Sequence, residues 1–371
     1  MKIRERIAQY TSDPLVGELW HAIRRAKPLR SISVDVTRKC NLRCKGCYFF
    51  VEGMDKVDDA ASAEFDHFIM KEEARGTNFV TVLGGEPSLA QDRVLRLAEH
   101  FKLVIVTNGV KPLPWLGLED TTIAISVWGD RETDRRLRGY DRINIFERAL
   151  AHYRSDPRVV WYMTLPSSPS EQTEESVAAC IENGNLVGFN YYGDLEGLGG
   201  SLDHGAGFSE ARRFVEQMLA RYPGHIAFGK YLNQVVTTGE MKGSRWGYDV
   251  CGSVSVDDPA NKTRLANGHS FNPHFNAYGP GLGTPRRCCV GSVRDCNTCR
   301  DVWAHMSWIA LALERHLDSA EDFYAWISTM YVFYGVCGLV DRPEFRARLA
   351  EINSRDAGLA MRGAAAALKD E

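Results

Sequence analysis

Strand-like and helix-like segments alternate along the first half of the chain. Helical patterns lie between most of the strand-like runs, and a repeated β-then-α order predicts a parallel sheet with right-handed crossovers. Six such units predict an α/β fold, a partial (β/α)6 barrel of the TIM type, in which functional residues lie at the carboxyl ends of the strands. The predicted strands, rich in Val, Ile, Thr and aromatic residues, are 31–37, 78–83, 103–107, 122–127, 159–165 and 186–191. The predicted helices of this half are 58–75, 90–100, 144–153 and 174–182.

The composition of the chain changes near residue 195. Residues 197–207 are rich in glycine, and residues 242–286 are rich in Gly, Pro, Asn and aromatic residues with little periodicity. Helical patterns return at 210–221, 301–316, 321–335 and 358–368. We therefore predict an N-terminal helical segment over 1–29, a core barrel over 30–195 and a mostly helical, cysteine-containing extension over 196–371.

The charge and hydropathy of the chain exclude several classes of protein. A formal charge of −3 leaves no basic surplus to neutralise a phosphate backbone, so we expect no nucleic-acid partner. No run approaches the roughly 20 apolar residues that span a bilayer, and the N-terminus lacks an apolar signal region. We expect a cytoplasmic protein whose ten cysteines stay reduced and available as metal ligands or nucleophiles.

Three cysteines follow the first predicted strand at the spacing C-x3-C-x2-C: Cys40, Cys44 and Cys47. An iron–sulfur cluster usually takes four cysteine ligands, so three would leave one iron free for another ligand. An open coordination position is typical of catalytic metal centres. A zinc knuckle that lacks its fourth ligand, or three packed thiols, are the alternatives, and the position directly after the first strand favours the cluster.

This cysteine motif resembles that of the radical S-adenosylmethionine (SAM) superfamily. In that family the amino and carboxylate groups of SAM chelate the iron that has no protein ligand, and an electron from the cluster cleaves SAM to give, usually, a 5′-deoxyadenosyl radical. The resemblance implies a [4Fe–4S] cluster on the three cysteines and SAM as a second cofactor. It also implies a reducing partner such as flavodoxin or ferredoxin.

Further motifs lie where this resemblance places SAM contacts. Gly84, Gly85 and Glu86 close the second strand and look like the family's motif for the methionine amino group. Glycines let a backbone approach a ligand, and a glutamate supplies an acceptor for an ammonium group. Asn108 follows the third strand and is either the polar tip of a turn or a SAM contact. Ser126, near the end of the fourth strand, matches a position that commonly meets the SAM carboxylate or ribose.

The chain departs from the family's usual pattern beside the third cysteine. Gly46 stands where an aromatic residue commonly lies against adenine, and Tyr48 is the candidate replacement. A small residue here also occurs in enzymes resembling adenosylhopane synthase, the branch that this chain resembles most. The charged run over 130–138 is interpreted as the solvated face of a helix.

A second cysteine group lies in the extension: Cys288, Cys289, Cys296 and Cys299. Four thiols within twelve residues predict a zinc site or a second iron–sulfur cluster, with Cys251 as a further ligand candidate. Packed free thiols, or thiols that react with or bind a substrate, are the alternatives.

Two neighbouring features of this second group bear on its chemistry. The adjacent thiols of Cys288 and Cys289 suit a soft, thiophilic species such as trivalent arsenic. Arg286 and Arg287 precede them, and their charges would promote the thiolate form.

The sequence therefore predicts a radical SAM enzyme that forms a bond on a small-molecule substrate. The group transferred is either 5′-deoxyadenosyl or 3-amino-3-carboxypropyl, the latter to a thiophilic acceptor such as trivalent arsenic. One alternative is a maturase that modifies a peptide with the help of an auxiliary cluster. The other is a non-catalytic metal-binding module in which both cysteine groups are structural.

Overall fold

A sheet with six parallel strands in sequential order forms the centre of the molecule, seen in a computed structural model that describes residues 2–26, 28–139, 143–191, 207–239, 251–267, 274–288 and 299–367. The order β6-β5-β4-β3-β2-β1-β7-β8 places β7 parallel to β1 and β8 antiparallel to β7. This open, sequentially ordered sheet confirms the predicted partial barrel. Its strands are β1 Ser31–Asp35, β2 Phe79–Leu83, β3 Lys102–Thr107, β4 Thr122–Trp128, β5 Val159–Leu165, β6 Leu186–Tyr191, β7 Ala277–Tyr278 and β8 Pro285–Arg286.

Helices cover the outer face of the sheet, and the extension adds more. The described helices are α1 Ile3–Tyr10, α2 Pro14–Arg25, α3 Tyr48–Val51, α4 Ser62–Ala74, α5 Gln91–His100, α6 Arg131–Arg138, α7 Ile145–His152, α8 Glu171–Glu182, α9 Ser209–Arg221, α10 Lys230–Thr238, α11 Lys262–Asn267, α12 Val302–Leu311, α13 Ala320–Val336 and α14 Arg342–Ala367. Two predictions for the extension were incomplete. The last helix begins sixteen residues earlier than predicted, at Arg342, and neither α10 nor α11 was predicted.

The region 242–286, predicted to lack regular structure, contributes two strands to the sheet. β7 pairs with β1 through Ser33 and Val34, and β8 pairs with β7. A two-residue strand is too short to show the alternation by which strands are recognised, so neither could be found from local pattern. These strands bring the extension directly beside the strand that precedes Cys40, Cys44 and Cys47.

The extension also fills the amino-terminal end of the barrel. Cys337, which follows α13, is buried in one apolar cluster with Phe79, Val104 and Ala124 from three central strands. Trp303 of α12 packs against the same cluster. Because apolar groups occupy this end, the carboxyl ends of the strands are left for polar side chains.

The N-terminal helices pack on the extension rather than standing apart. The Trp20 ring of α2 lies 5.8 Å from the Phe323 ring and 6.4 Å from the Trp326 ring, both in α13. The predicted boundaries of the three segments stay a prediction. No described helix combines the length and the apolar character needed to cross a membrane.

Candidate functional site

Residues 36–47 form a loop at the carboxyl end of β1 that carries the first three cysteines; we call it the cysteine loop. All three thiols are free and half-buried, and Cys47 is the residue at which α3 starts. The Leu42 N–H points at Cys40 Sγ at 3.5 Å, and the Phe50 N–H donates to the Cys47 carbonyl at 3.1 Å. Burial raises the pKa of Cys40 to about 12 and that of Cys47 to about 11. Without iron these thiols are protonated, so cluster binding must displace their protons.

The donor chemistry of these thiols is that of an iron–sulfur cluster. Within the described part of the chain, no three His, Cys, Asp or Glu side chains are grouped so that they could hold one metal ion. A cubane takes each of the three thiolates at a different iron. Thiolates are also the ligands that iron–sulfur clusters prefer, so the cysteine loop fits the predicted [4Fe–4S] cluster.

The two glycines after β2 allow the chain to pass directly against the cysteine loop. Gly84 has a φ of +129°, and a Cβ added to Gly85 would lie 2.1 Å from the Lys39 carbonyl oxygen. Two backbone hydrogen bonds join the segments, from Gly85 N–H to the Thr37 carbonyl at 2.9 Å and from Glu86 N–H to the Lys39 carbonyl at 2.8 Å. The sequence predicted that these glycines let the backbone approach a ligand. In the structure they let it approach the backbone of the cysteine loop.

The buried carboxylate of Glu86 ties the end of β2 to the end of β3. It accepts hydrogen bonds from the Thr107 hydroxyl at 2.5 Å, the Asn108 N–H at 2.8 Å and the Ser88 N–H at 3.0 Å. A carboxylate has about four lone-pair positions. The Glu86 carboxylate, which was predicted to accept from an ammonium group, therefore already uses most of its positions within the protein. Glu86 therefore holds neighbouring loops in place.

Glu86→Gln is expected to destabilise the fold as well as affect SAM binding. The amide group of Gln would place an N–H donor against one of the three donors that the carboxylate now accepts. Leaving that buried donor unsatisfied lowers the free energy of unfolding by about 1–3 kcal/mol. Urea unfolding of the metal-free protein measures this cost separately from SAM binding. Unchanged unfolding free energy together with lost SAM binding would show that Glu86 acts only as a ligand.

Asn108 and Ser126 occupy neighbouring strand ends beside the cysteine loop. The Asn108 side-chain amide donates to Asn41 Oδ1, inside the cysteine loop, at 2.7 Å. Ser126 alternates with Ile125 and Val127, both buried in the helix-facing core, so its side chain faces the barrel interior. The structure thus gathers the residues predicted to contact SAM around the cysteine loop.

Tyr48 belongs to a buried charged group that the sequence did not reveal. Its hydroxyl donates to Asp35 Oδ1 at 3.0 Å, and Arg286 lies 3.1 Å from Asp35 Oδ2 and 5.5 Å from the centre of the Tyr48 ring. Burial raises the pKa of Asp35, while the Arg286 charge and the Tyr48 hydrogen bond oppose that rise. Arg286, expected to act on Cys288, is thus ion-paired with Asp35. Packing of Tyr48 on adenine stays a prediction.

The interpretation of residues 130–138 as a solvated helix face was wrong for half of α6. Asp134 and Arg138 are 1% and 4% exposed. Arg138 donates to Asp134 Oδ1 at 2.8 Å and to the Ser126 carbonyl. Burial raises the pKa of Cys44, and the charge and hydrogen bond of Arg138 oppose that rise. An acidic and a basic residue four positions apart occur in the same pattern on solvated helices and on buried ones. The sequence therefore did not indicate that this pair is buried.

The second cysteine group is described only in part, because Cys289 and Cys296 lie outside the described residues. Cys288 follows β8 and pairs with Val254. The Asp301 N–H points at Cys299 Sγ at 3.4 Å, and the next N–H, of Val302, lies 3.4 Å from Asn190 Oδ1 in β6. Since β8 and β6 are the two edges of the sheet, Cys288 and Cys299 flank the open side of the barrel.

Comparison with known proteins gives matches to part of the chain. Residues 32–115, which include Cys40, Cys44 and Cys47, match the model of a family described as "4Fe-4S single cluster domain", and this confirms the predicted cluster as a cofactor. A probable GTP 3′,8-cyclase of Saccharolobus solfataricus is 31% identical over 126 residues, 33% of this chain and 36% of the relative. An Fe-coproporphyrin III synthase of Methanosarcina barkeri is 28% identical over 132 residues, 32% of each chain. The chain thus spans about a third of the length of these curated relatives.

Two solved structures share a distant likeness of fold. Streptococcus suis SuiB bound to S-adenosylmethionine matches with a TM-score of 0.43 and 18% identity over 60% of this chain and 56% of its own. The structure titled "Native anSMEcpe with bound AdoMet" matches with a TM-score of 0.45 and 14% identity over 80% of this chain and 100% of its own. Both likenesses are too remote to support a statement about function.

Proposed function

We propose that this chain, a member of the radical SAM superfamily, cleaves SAM reductively and uses the radical to form a bond on a small-molecule substrate. The observation that carries the proposal is the cysteine loop, which is hydrogen-bonded to the strand ends that bear Glu86 and Asn108. A [4Fe–4S] cluster and SAM, when bound there, supply a one-electron cleavage that yields a carbon radical.

The residues of this chain have separable tasks in that proposal. Cys40, Cys44 and Cys47 hold the cluster and leave one iron for SAM. The glycine-lined end of β2 fixes the backbone of the cysteine loop, and Asn108 fixes Asn41 within it. Apolar packing at the amino-terminal end of the barrel closes that end, so reactants enter from the carboxyl ends of the strands.

A small-molecule substrate is supported by the names of the curated relatives. One is called a GTP cyclase and the other a porphyrin synthase, and both names specify small molecules. The group transferred is 5′-deoxyadenosyl or 3-amino-3-carboxypropyl. The adjacent thiols of Cys288 and Cys289 favour a thiophilic acceptor such as trivalent arsenic. We further propose a flavodoxin or ferredoxin as the electron donor.

One observation favours a second candidate, a peptide maturase with an auxiliary cluster. Cys288 lies beside β8 and Cys299 beside β6, the two edge strands of the sheet, so the second cysteine group borders the same barrel as the cysteine loop. In this candidate the second cysteine group holds the auxiliary cluster rather than zinc.

Mass spectrometry of the nucleoside product tests the proposed function. The protein is reconstituted with iron and sulfide without oxygen, reduced with dithionite and given SAM. 5′-Deoxyadenosine as the product identifies cleavage at the adenosyl carbon, and methylthioadenosine identifies release of the 3-amino-3-carboxypropyl group. Zinc as the bound metal, with no cleavage of SAM, would support the non-catalytic module instead.

Removing Cys288 and Cys299 together is expected to empty the second metal site and leave the first one loaded. A second cluster would account for about four irons per chain, and a zinc site for about one zinc, so metal analysis identifies which is lost. The Cys288→Ala/Cys299→Ala protein should retain the irons of the first site. Unchanged metal content would mean that these thiols are not ligands.

A further inference from the structure

α6 places a buried ion pair directly against the cysteine loop. The Arg138 guanidinium lies 2.8 Å from Asp134 Oδ1, and both side chains are almost fully buried. The helix is fastened to the cysteine loop by a hydrogen bond from Lys45 N–H to the Leu137 carbonyl at 2.8 Å. The pair is therefore held at a fixed position beside Cys44.

The two charges of this pair face different groups. The Arg138 charge acts on Cys44 and holds down the pKa of that thiol, and Arg138 donates to the Ser126 carbonyl, whereas Asp134 Oδ1 also accepts the Trp128 N–H at 2.9 Å. The positive charge thus lies beside Cys44, and both side chains of the pair are fixed to the backbone of β4. A buried ion pair is weak evidence for stability, since apolar residues of similar volume often stabilise a fold as well or better. Its position beside a ligand suggests another purpose.

We propose that Arg138 is a positioning residue that makes the cluster held by the cysteine loop easier to reduce, and that Asp134 limits the size of this effect. The inference rests on the proposed function, because it requires a cluster on Cys44. A cation and an N–H donor at a ligating sulfur stabilise the more negatively charged, reduced form of a cluster, and hydrogen bonds to sulfur are known to set cluster potentials. The neighbouring carboxylate offsets part of the positive charge.

The step affected is the arrival of one electron from a low-potential donor protein. The electron enters the cluster, the donor is oxidised by one electron, and no proton or covalent bond changes at Arg138 or Asp134. The effect is therefore one on reduction potential, which can be measured before SAM is added.

Redox titration of the reconstituted, SAM-free protein, followed by electron paramagnetic resonance, tests this proposal. Arg138→Gln should move the midpoint potential to a more negative value, and Asp134→Asn to a more positive one. Arg138→Lys, which keeps the charge, should lie between Arg138→Gln and the unchanged protein. Shifts of opposite sign from the two partners are not expected from a loss of packing, which would affect both variants alike.

A matched control is present elsewhere in the barrel. Arg158 and Asp156 form another largely buried pair, with 2.6 Å between nitrogen and oxygen, just before β5 at the amino-terminal end of the barrel. Arg158→Gln should leave the midpoint potential unchanged. If Arg138→Gln fails to bind iron, the sign of the Asp134→Asn and Arg138→Lys shifts decides the question.

Two results would overturn the proposal. Equal potentials in all iron-loaded variants would show that the pair does not act on the cluster, and a change confined to SAM affinity would place Arg138 at SAM rather than at sulfur. Absence of a cluster in the unchanged protein would instead refute the proposed function, so the two failures are distinguishable.

Discussion

Cys40→Ala is expected to abolish both iron binding at the cysteine loop and cleavage of SAM. With only two thiolates left, a cubane would have two irons without protein ligands, and the chelating position for SAM would no longer be unique. SAM cleavage should fall to the background rate of the protein without iron. Iron analysis and mass spectrometry of the nucleoside product after anaerobic reconstitution measure the two effects.

The matched control for this prediction is a cysteine outside the loop. Cys180 is fully buried in α8. Cys180→Ala should cost about 1 kcal/mol of unfolding free energy and leave iron loading and SAM cleavage intact. Full iron loading and activity in Cys40→Ala would show that Cys40 is not a ligand.

Gly85→Ala is expected to disrupt the cysteine loop through the backbone alone. The added Cβ would lie 2.1 Å from the Lys39 carbonyl oxygen, 2.5 Å from its carbon and 3.0 Å from the Cys40 nitrogen. None of these atoms belongs to a flexible side chain, so β2 and the cysteine loop must separate. We expect the free energy of unfolding to fall by about 3 kcal/mol, the upper end of the range for overpacked sites, and the cluster to load poorly. Urea unfolding and iron content measure the two effects.

Gly224→Ala provides the comparison for this substitution. Its added Cβ would meet the Ala350 Cβ at 3.5 Å, an ordinary van der Waals contact far from the cysteine loop. Stability and iron loading should then stay close to those of the unchanged protein. A Gly85→Ala protein that is equally stable and fully loaded would mean that the close approach of β2 to Lys39 is not required.

The central sheet could be predicted because buried parallel strands leave a strong local signal. The predicted bounds of β5 and β6 match those observed, and β1 to β4 differ by at most two residues. The cysteine motif and the strand ends that surround it followed from the same pattern, since polar residues after parallel strands meet at one edge of the sheet.

Other parts of the site depend on contacts that local pattern does not contain. Arg286 reaches Asp35 only because β7 and β8 add to the sheet beside β1, and those two-residue strands have no periodicity. The burial of Arg138 depends on α6 turning that face toward the cysteine loop, while its sequence resembles a solvated helix. Close approach of Gly85 to Lys39 likewise joins two loops separated by more than forty residues.

Electron paramagnetic resonance of the reduced protein, recorded with and without SAM, decides whether the cysteine loop holds a cluster with an iron open to SAM. We expect the spectrum of a reduced [4Fe–4S] cluster that changes when SAM is added and that is missing from Cys40→Ala. A spectrum indifferent to SAM, or the same SAM-dependent change in Cys40→Ala, would contradict the assignment of this site.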